Sequence, residues 1–467
     1  MTKQRRIPKR DRIDAPVPPT LALVRGRATK AYSLLRRHLG RFRPIHYAPH
    51  AAAVLRTKEF TDAPIHRVLH TIEANCAYAN SMPARLPTPA DVILAMQLYA
   101  PYEDAVQSYT VSRRGLLHFA MHMTRHQVEL HYQHSIEDVA RTWNLFVRAD
   151  RINRLKKEMQ SEYAISILQW MQLCLLGACG ATTADGRFSR RALEWGSLVP
   201  PSAIDSFMRL SAQNPKDIAA NFLSESSRPE SYWLIRSQFL GTPLMDCGQN
   251  RILAPSVELI WRHSWHGIYR LIRSCPSFSD EFGPMIEWYV RRVLSCTTGA
   301  TAIIAGGEIE KLVAPRRSCD FVVDFPSATL LVECKGVTFT NRWLDEDGIL
   351  NDNSTGKVGD AMVQLYSTAN DIAEGRLAWA GVAPGKPMVG VVATFGDIPF
   401  VNSDRYFDTF IFRRAEQALQ RPIYPSAAMS RRPIVLSLAS LELLIMLLNA
   451  LGETPVTLYD QKAAESY

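Results

Sequence analysis

Residues Ser318–Gly336 read SCDFVVDFPSATLLVECKG. Two short apolar runs flank a reversal at Pro326-Ser327, and each alternates with the period of two that a β-strand imposes. In the first run Phe321, Val323 and Phe325 alternate with Asp320, Val322 and Asp324; in the second Leu331, Glu333 and Lys335 alternate with Leu330, Val332 and Cys334. Closing the hairpin at Pro326-Ser327 sets Asp320 opposite Glu333 on one face, with Cβ atoms about 5 Å apart. Lys335, two residues on from Glu333, points the same way at the same strand end. Asp324 is a rival for the first acidic position, but this pairing leaves it near the turn and away from Glu333.

Two carboxylates this close repel unless a cation lies between them. Gathered with an ammonium at a strand end, they suit phosphodiester hydrolysis. Asp320 and Glu333 would hold Mg2+ or Mn2+, which prefer oxygen ligands and keep positions open for water and substrate phosphate. Lys335 would position the attacking water or neutralise charge developing on the phosphate. The backbone carbonyl of Cys334 is a further oxygen ligand. The same spacing also fits an edge strand kept soluble by Glu and Lys. Against that stands the run Thr329–Val332, apolar on both faces as in a central strand, where unpaired charge is rare.

Outward from the hairpin, helices are expected over 283–296, 356–374 and 439–451, and strands over 301–305, 388–395 and 408–412. The order α-β-β-β-α-β, with Asp320 and the tripeptide Glu333-Cys334-Lys335, resembles the core of the PD-(D/E)XK (restriction-endonuclease-like) nuclease superfamily over about 275–395. Gly283-Pro-Met-Ile-Glu287-Trp-Tyr289-Val290 is similar to the G-x-x-x-E-x-Y-V pattern of many members. The resemblance implies a metal-dependent nuclease, with DNA favoured over RNA, akin in role to stand-alone bacterial nucleases of restriction, phage defence or mobile elements. It also makes Glu287 an additional metal-shell acid. In helix 356–374 Lys357, Asp360, Gln364 and Thr368 share one side, and the resemblance gives Gln364 a phosphate or metal-water contact. The helicase-linked Gln-x-x-x-Tyr pattern is matched only at its Gln, since Tyr366 stands on another face and reads as packing. No Pro precedes Asp320. The implied catalytic set is Asp320, Glu333, Lys335 and Gln364; the implied metal set is Glu287, Asp320, Glu333 and Cys334, for Mg2+ or Mn2+.

The remainder sets the context. The 467 residues carry a net charge of +9, with 47% hydrophobic and 21% charged, which excludes a disordered or fibrous chain. Residues 1–50 hold 13 Lys and Arg against two Asp, a local +11, and the other 417 residues net −2. The N-terminal 50 residues, rich in Pro and with only Leu21–Leu39 able to form a short helix, read as a flexible basic arm that adds salt-dependent affinity for nucleic acid or merely solubility. Residues 51–270 read as a helical domain of unassigned role, and 271–467 as the nuclease domain, for an α + α/β class overall. Eight scattered cysteines without a CxxC pair, and an N-terminus lacking the apolar core of a secretory signal, suit a cytoplasmic protein. The uncharged stretch Tyr163–Ala184 reads as a buried helix, because its amides would face hydrocarbon in a membrane. His118, His122 and His126 share a helical face, but no Glu completes a zincin motif. The link 337–355, with Asp345, Glu346 and Asp347, is long enough to be a gate or simply a solvated loop. From a different class, the alternative is a non-catalytic nucleic-acid-binding or scaffolding protein that keeps the fold.

Overall fold

The computed structural model describes residues 27–57, 64–80, 85–114, 136–197, 199–226, 237–313, 318–338, 353–398, 400–419, 429 and 431–465. The chain divides into two compact units, Met1–Thr142 with Leu155–Cys275, and Trp143–Arg154 with Pro276–Tyr467. The class is mostly helical with two small mixed sheets.

In the first unit, helices α1 (Arg27–Leu39), α2 (Pro44–Arg56), α3 (Ile65–Tyr78) and α4 (Pro89–Arg114) pack together. Their common core includes Tyr32, Leu35 and Leu39, spaced for one helical face, with Tyr47, Val54, Leu69 and Ile72. The short helix allowed within Leu21–Leu39 forms over Arg27–Leu39, but it is not part of a flexible arm: its apolar stripe is fully buried, and Pro44–Arg56 adds a second packed helix. The basic residues ride on the outer face, where the Arg36 guanidinium lies 4.8 Å from the Tyr78 ring centroid. Residues 1–26, the remainder of the expected arm, lie outside the described residues, as do His118, His122 and His126 and most of the 337–355 link.

The uncharged stretch folds as α5 (Ile167–Gly180), started by a capping box in which Ser166 and Gln169 bond each other's backbone amides. Trp170, Leu173, Cys174 and Ala178 are buried. Among the described residues no single helix is long and apolar enough to cross a membrane. Strands were not expected in this unit, yet β1 (Arg187–Ser189), β2 (Ala212–Gln213), β3 (Leu244–Asp246) and β4 (Arg251–Leu253) form a small sheet in the order β1-β4-β3-β2. At two or three residues each they are too short to show an alternation.

The second unit is built on a sheet of β5 (Ala302–Ala305), β6 (Phe321–Asp324), β7 (Thr329–Lys335), β8 (Met388–Thr394) and β9 (Ile434–Ser437), in that spatial order. β5–β6 and β6–β7 are antiparallel, β7–β8 and β8–β9 parallel. Helix α6 (Phe278–Leu294) precedes β5, α7 (Asn353–Ala373) joins β7 to β8, and α8 (Arg413–Leu419) and α9 (Leu438–Leu451) flank the last strand. β7 is the middle strand, and Thr329 to Cys334 are all buried, so both faces are covered. The β6–β7 register pairs Phe321 with Val332 and Asp324 with Thr329, as the hairpin reading expected.

Three local readings are corrected. Residues 408–412 form no strand; Phe407–Phe412 is a π-helical turn burying Phe407, Phe410 and Ile411, a three-and-four spacing that belongs to a helix. β9 was not expected, because four residues directly after Arg431-Arg432-Pro433 carry little pattern. Trp143–Arg154 was also placed in the helical domain, but it belongs to the second unit. Fully buried Phe146 sits 6.5 Å from Phe282 and 6.0 Å from Phe395, and these two are 5.2 Å apart. Phe146→Ala should therefore cost about 3–5 kcal/mol and reduce hydrogen-exchange protection of β7 and β8. Loss of protection confined to α3 and α4 would assign the segment to the other unit.

Candidate active site

The site begins where the β6–β7 ladder ends. One step beyond the Phe321–Val332 pair, each strand offers a carboxylate to the other's backbone. The Cys334 amide donates to Asp320 Oδ2 at 2.7 Å, and the Asp320 amide donates to Glu333 Oε2 at 3.1 Å. The side chains therefore replace backbone carbonyls as acceptors and hold both acids beside each other. In an extended strand the N–H and C=O of one residue point the same way, so the Cys334 carbonyl also turns toward the β6 side.

Lys335 Nζ forms an ion pair with Glu333 Oε1 and donates to Gln364 Oε1 at 3.0 Å. Gln364 Nε2 in turn donates to the Ser318 carbonyl at 3.2 Å. One helical turn on, Thr368 Oγ1 accepts from the Cys319 amide at 2.9 Å and donates to the Gln364 carbonyl at 2.9 Å. Helix α7 thus grips the residues just before Asp320 and the ammonium just after Glu333 with two side chains spaced i, i+4. Tyr366, on another face, is buried, as a packing residue should be.

Helix α6 can come close because Gly336 has no side chain: a Cβ there would stand 2.7 Å from a ring carbon of Phe282. This close approach sets Glu287 within electrostatic reach of Asp320 and Lys335. Asp324, the rival acid, is engaged elsewhere: Lys386 Nζ donates to it at 2.7 Å, Thr301 at 2.9 Å and Thr329 at 3.1 Å.

Negative charge is in excess. Glu333 is 1% exposed, and burial, then the Asp320 carboxylate, push it up to about 8 despite Lys335. Burial also raises Asp320 against the opposing pull of the Cys334 amide and Lys335, with Glu310 adding to the rise. Glu287 is raised by burial and by Asp320. Glu310 was missed by sequence reasoning, because the helix Gly306–Val313 between β5 and β6 was not expected.

The structure brings together Asp320, Glu333, Lys335, Gln364 and the Cys334 backbone, with Glu287 at their edge. Among the described residues it gathers no three His, Cys, Asp or Glu side chains into a closed metal-holding group. Two crowded carboxylates and a carbonyl nevertheless fit a hard divalent ion. Mg2+ in particular is usually held by one or two carboxylates and completes its shell with water and phosphate. Comparison of the chain with family models, curated proteins and solved structures gives no match.

A proton held by Glu333 up to about pH 8 stabilises the fold fully below the ordinary carboxyl value near 4.5, and that contribution is lost as pH rises through 8. The melting temperature of metal-free protein should therefore fall between pH 5 and 8, and Glu333→Gln should flatten the slope. An unaltered slope in the variant would contradict the buried acid.

Proposed function

We propose that the second unit is a restriction-endonuclease-like module of the PD-(D/E)XK kind and that the chain is a metal-dependent nuclease hydrolysing phosphodiester bonds, with DNA favoured as substrate. The observation that carries the reading is the convergence of Asp320, Glu333 and Lys335 at the end of the central strand, locked by Gln364. The order α6-β5-β6-β7-α7-β8, with the helix Gly306–Val313 inserted between β5 and β6 and with two antiparallel pairs and then a parallel one, supports it. Preference for DNA, and a role in phage defence, restriction or mobile-element biology, rest on the sequence resemblance alone.

Asp320 and Glu333 would hold Mg2+ or Mn2+, with the Cys334 carbonyl as a further oxygen and Glu287 acting from the edge. When bound, the ion supplies positive charge against the phosphate oxygens and makes a water more acidic. The chain's own groups do the rest. Lys335 has its ammonium fixed by Glu333 and Gln364, so its remaining N–H is aimed without further ordering at charge building on the phosphate or at the attacking water. Gln364 is anchored to the Ser318 carbonyl and gives the ammonium a second fixed acceptor beside Glu333. Burial of Glu333 strengthens each of these interactions by excluding water.

Purified protein should nick or cut DNA when Mg2+ or Mn2+ is added and should lose this activity on chelation. Asp320→Ala or Lys335→Ala should each reduce the rate by on the order of a hundredfold or more, with the far-ultraviolet dichroism unchanged. Equal cutting by the wild type and both variants overturns the proposal. A panel of single-stranded, duplex, branched and RNA substrates distinguishes the substrate class.

A further inference from the structure

Helix α7 carries more than the Gln364 grip. It joins two parallel strands, so it runs antiparallel to them and its N-terminal half lies toward the strand ends that hold the site. Ser354 Oγ ties that start of the helix to the Thr338 carbonyl, three residues beyond Lys335, at 3.1 Å. From there Asn353, Lys357 and Asp360 are exposed and line up with half-buried Gln364 on one stripe. Lys357 stands seven residues before Gln364, roughly 10 Å along the axis.

Beside this stripe lies Arg414, exposed, from α8. Its seat is formed by two glycines of α7. A Cβ at Gly359 would be 3.3 Å from Arg414 Cγ and 3.4 Å from the Ala415 nitrogen, tight enough that a side chain there would push the stem outward. The guanidinium then reaches Gly356, whose Cβ position is 3.6 Å from Nε and 3.8 Å from Nη2. Among the described residues, no carboxylate is ion-paired with Lys357 or Arg414, and Asp360 on the stripe pairs with neither. Two cations are held out of ion pairs next to a site whose own charge is negative.

We infer that Lys357 and Arg414 form a track for the nucleic-acid strand that leaves the site, contacting phosphates within a few nucleotides of the one attacked. The inference rests on the nuclease reading above. The spacing suits a polyanion: each strand of a duplex carries one charge per roughly 3.4 Å of its axis, so further phosphates of the same strand fall within the roughly 10 Å between Gln364 and Lys357. A separate site for a small anion is not required, because neither cation is buried.

The test is the binding of a fluorescein-labelled duplex oligonucleotide, read by anisotropy over a range of salt without divalent ions. K357A/R414A should weaken binding about tenfold and lower the log–log salt slope by about 1.8, as expected for two lost phosphate contacts. The control K216A/R251A removes the same charge from exposed positions of the first unit and should change neither as much. Thermal unfolding should be unchanged in both variants. Unchanged binding in K357A/R414A, or an equal loss in the control, overturns the inference. Loss of binding without any metal-dependent cleavage leaves the track standing and removes the nuclease reading. Asp320-dependent cleavage with unchanged binding does the reverse.

Discussion

The reciprocal hydrogen bonds between Asp320 and Glu333 and the backbones they face hold the site together. An antiparallel ladder would ordinarily continue past Phe321–Val332 by backbone bonds alone. Here the strands hand over to carboxylates, and the Cys334 and Asp320 amides are satisfied by acids. That substitution ties side-chain chemistry to the register of β6 against β7. A slip of one residue between the strands would put the two acids on opposite faces and leave two amides unpaired. The middle position of β7, buried on both sides, makes such a slip costly.

Charge determines the rest. Asp320 and Glu333 share one ammonium, with Glu287 in electrostatic reach at the edge, and desolvation and mutual repulsion disfavour the ionised forms. A protein selected for stability alone would replace such a group with apolar side chains, which is often neutral or favourable. Its retention in the middle of a sheet is the physical reason to look for a cation that is not part of the chain. The same accounting explains Asp324. Four residues along the strand it has Lys386, Thr301 and Thr329 as partners, and it holds the β5–β6–β7 edge together.

How much of this could be read from the chain depended on the length of each pattern. The hairpin register followed from period two over Phe321–Asp324 and Thr329–Lys335, and Gln364 and Thr368 followed from helical spacing. The π-helical turn Phe407–Phe412 was misread because aromatic and β-branched residues also favour strands. Segment Trp143–Arg154 has a helical composition that says nothing about its tertiary partner, which only the Phe146–Phe282–Phe395 cluster reveals. Glu310 and the close approach at Gly336 depend on neighbours far away in sequence. In the basic N-terminal stretch the helix was legible but its packing was not, because charge outweighed the stripe Tyr32, Leu35 and Leu39 that buries it.

The candidate site is built from residues of the second unit. The central claim, that the Asp320–Glu333 pair is completed by a divalent ion, is tested most directly by titrating Mn2+ into the purified full-length chain. Calorimetry should be run near pH 7 in buffers of different ionisation enthalpy. One Mn2+ should bind with release of protons, because Glu333 holds a proton up to about pH 8 without the ion. Asp320→Ala and Glu333→Gln should both abolish the binding. Absence of Mn2+ binding, or binding that survives both substitutions, would contradict the account.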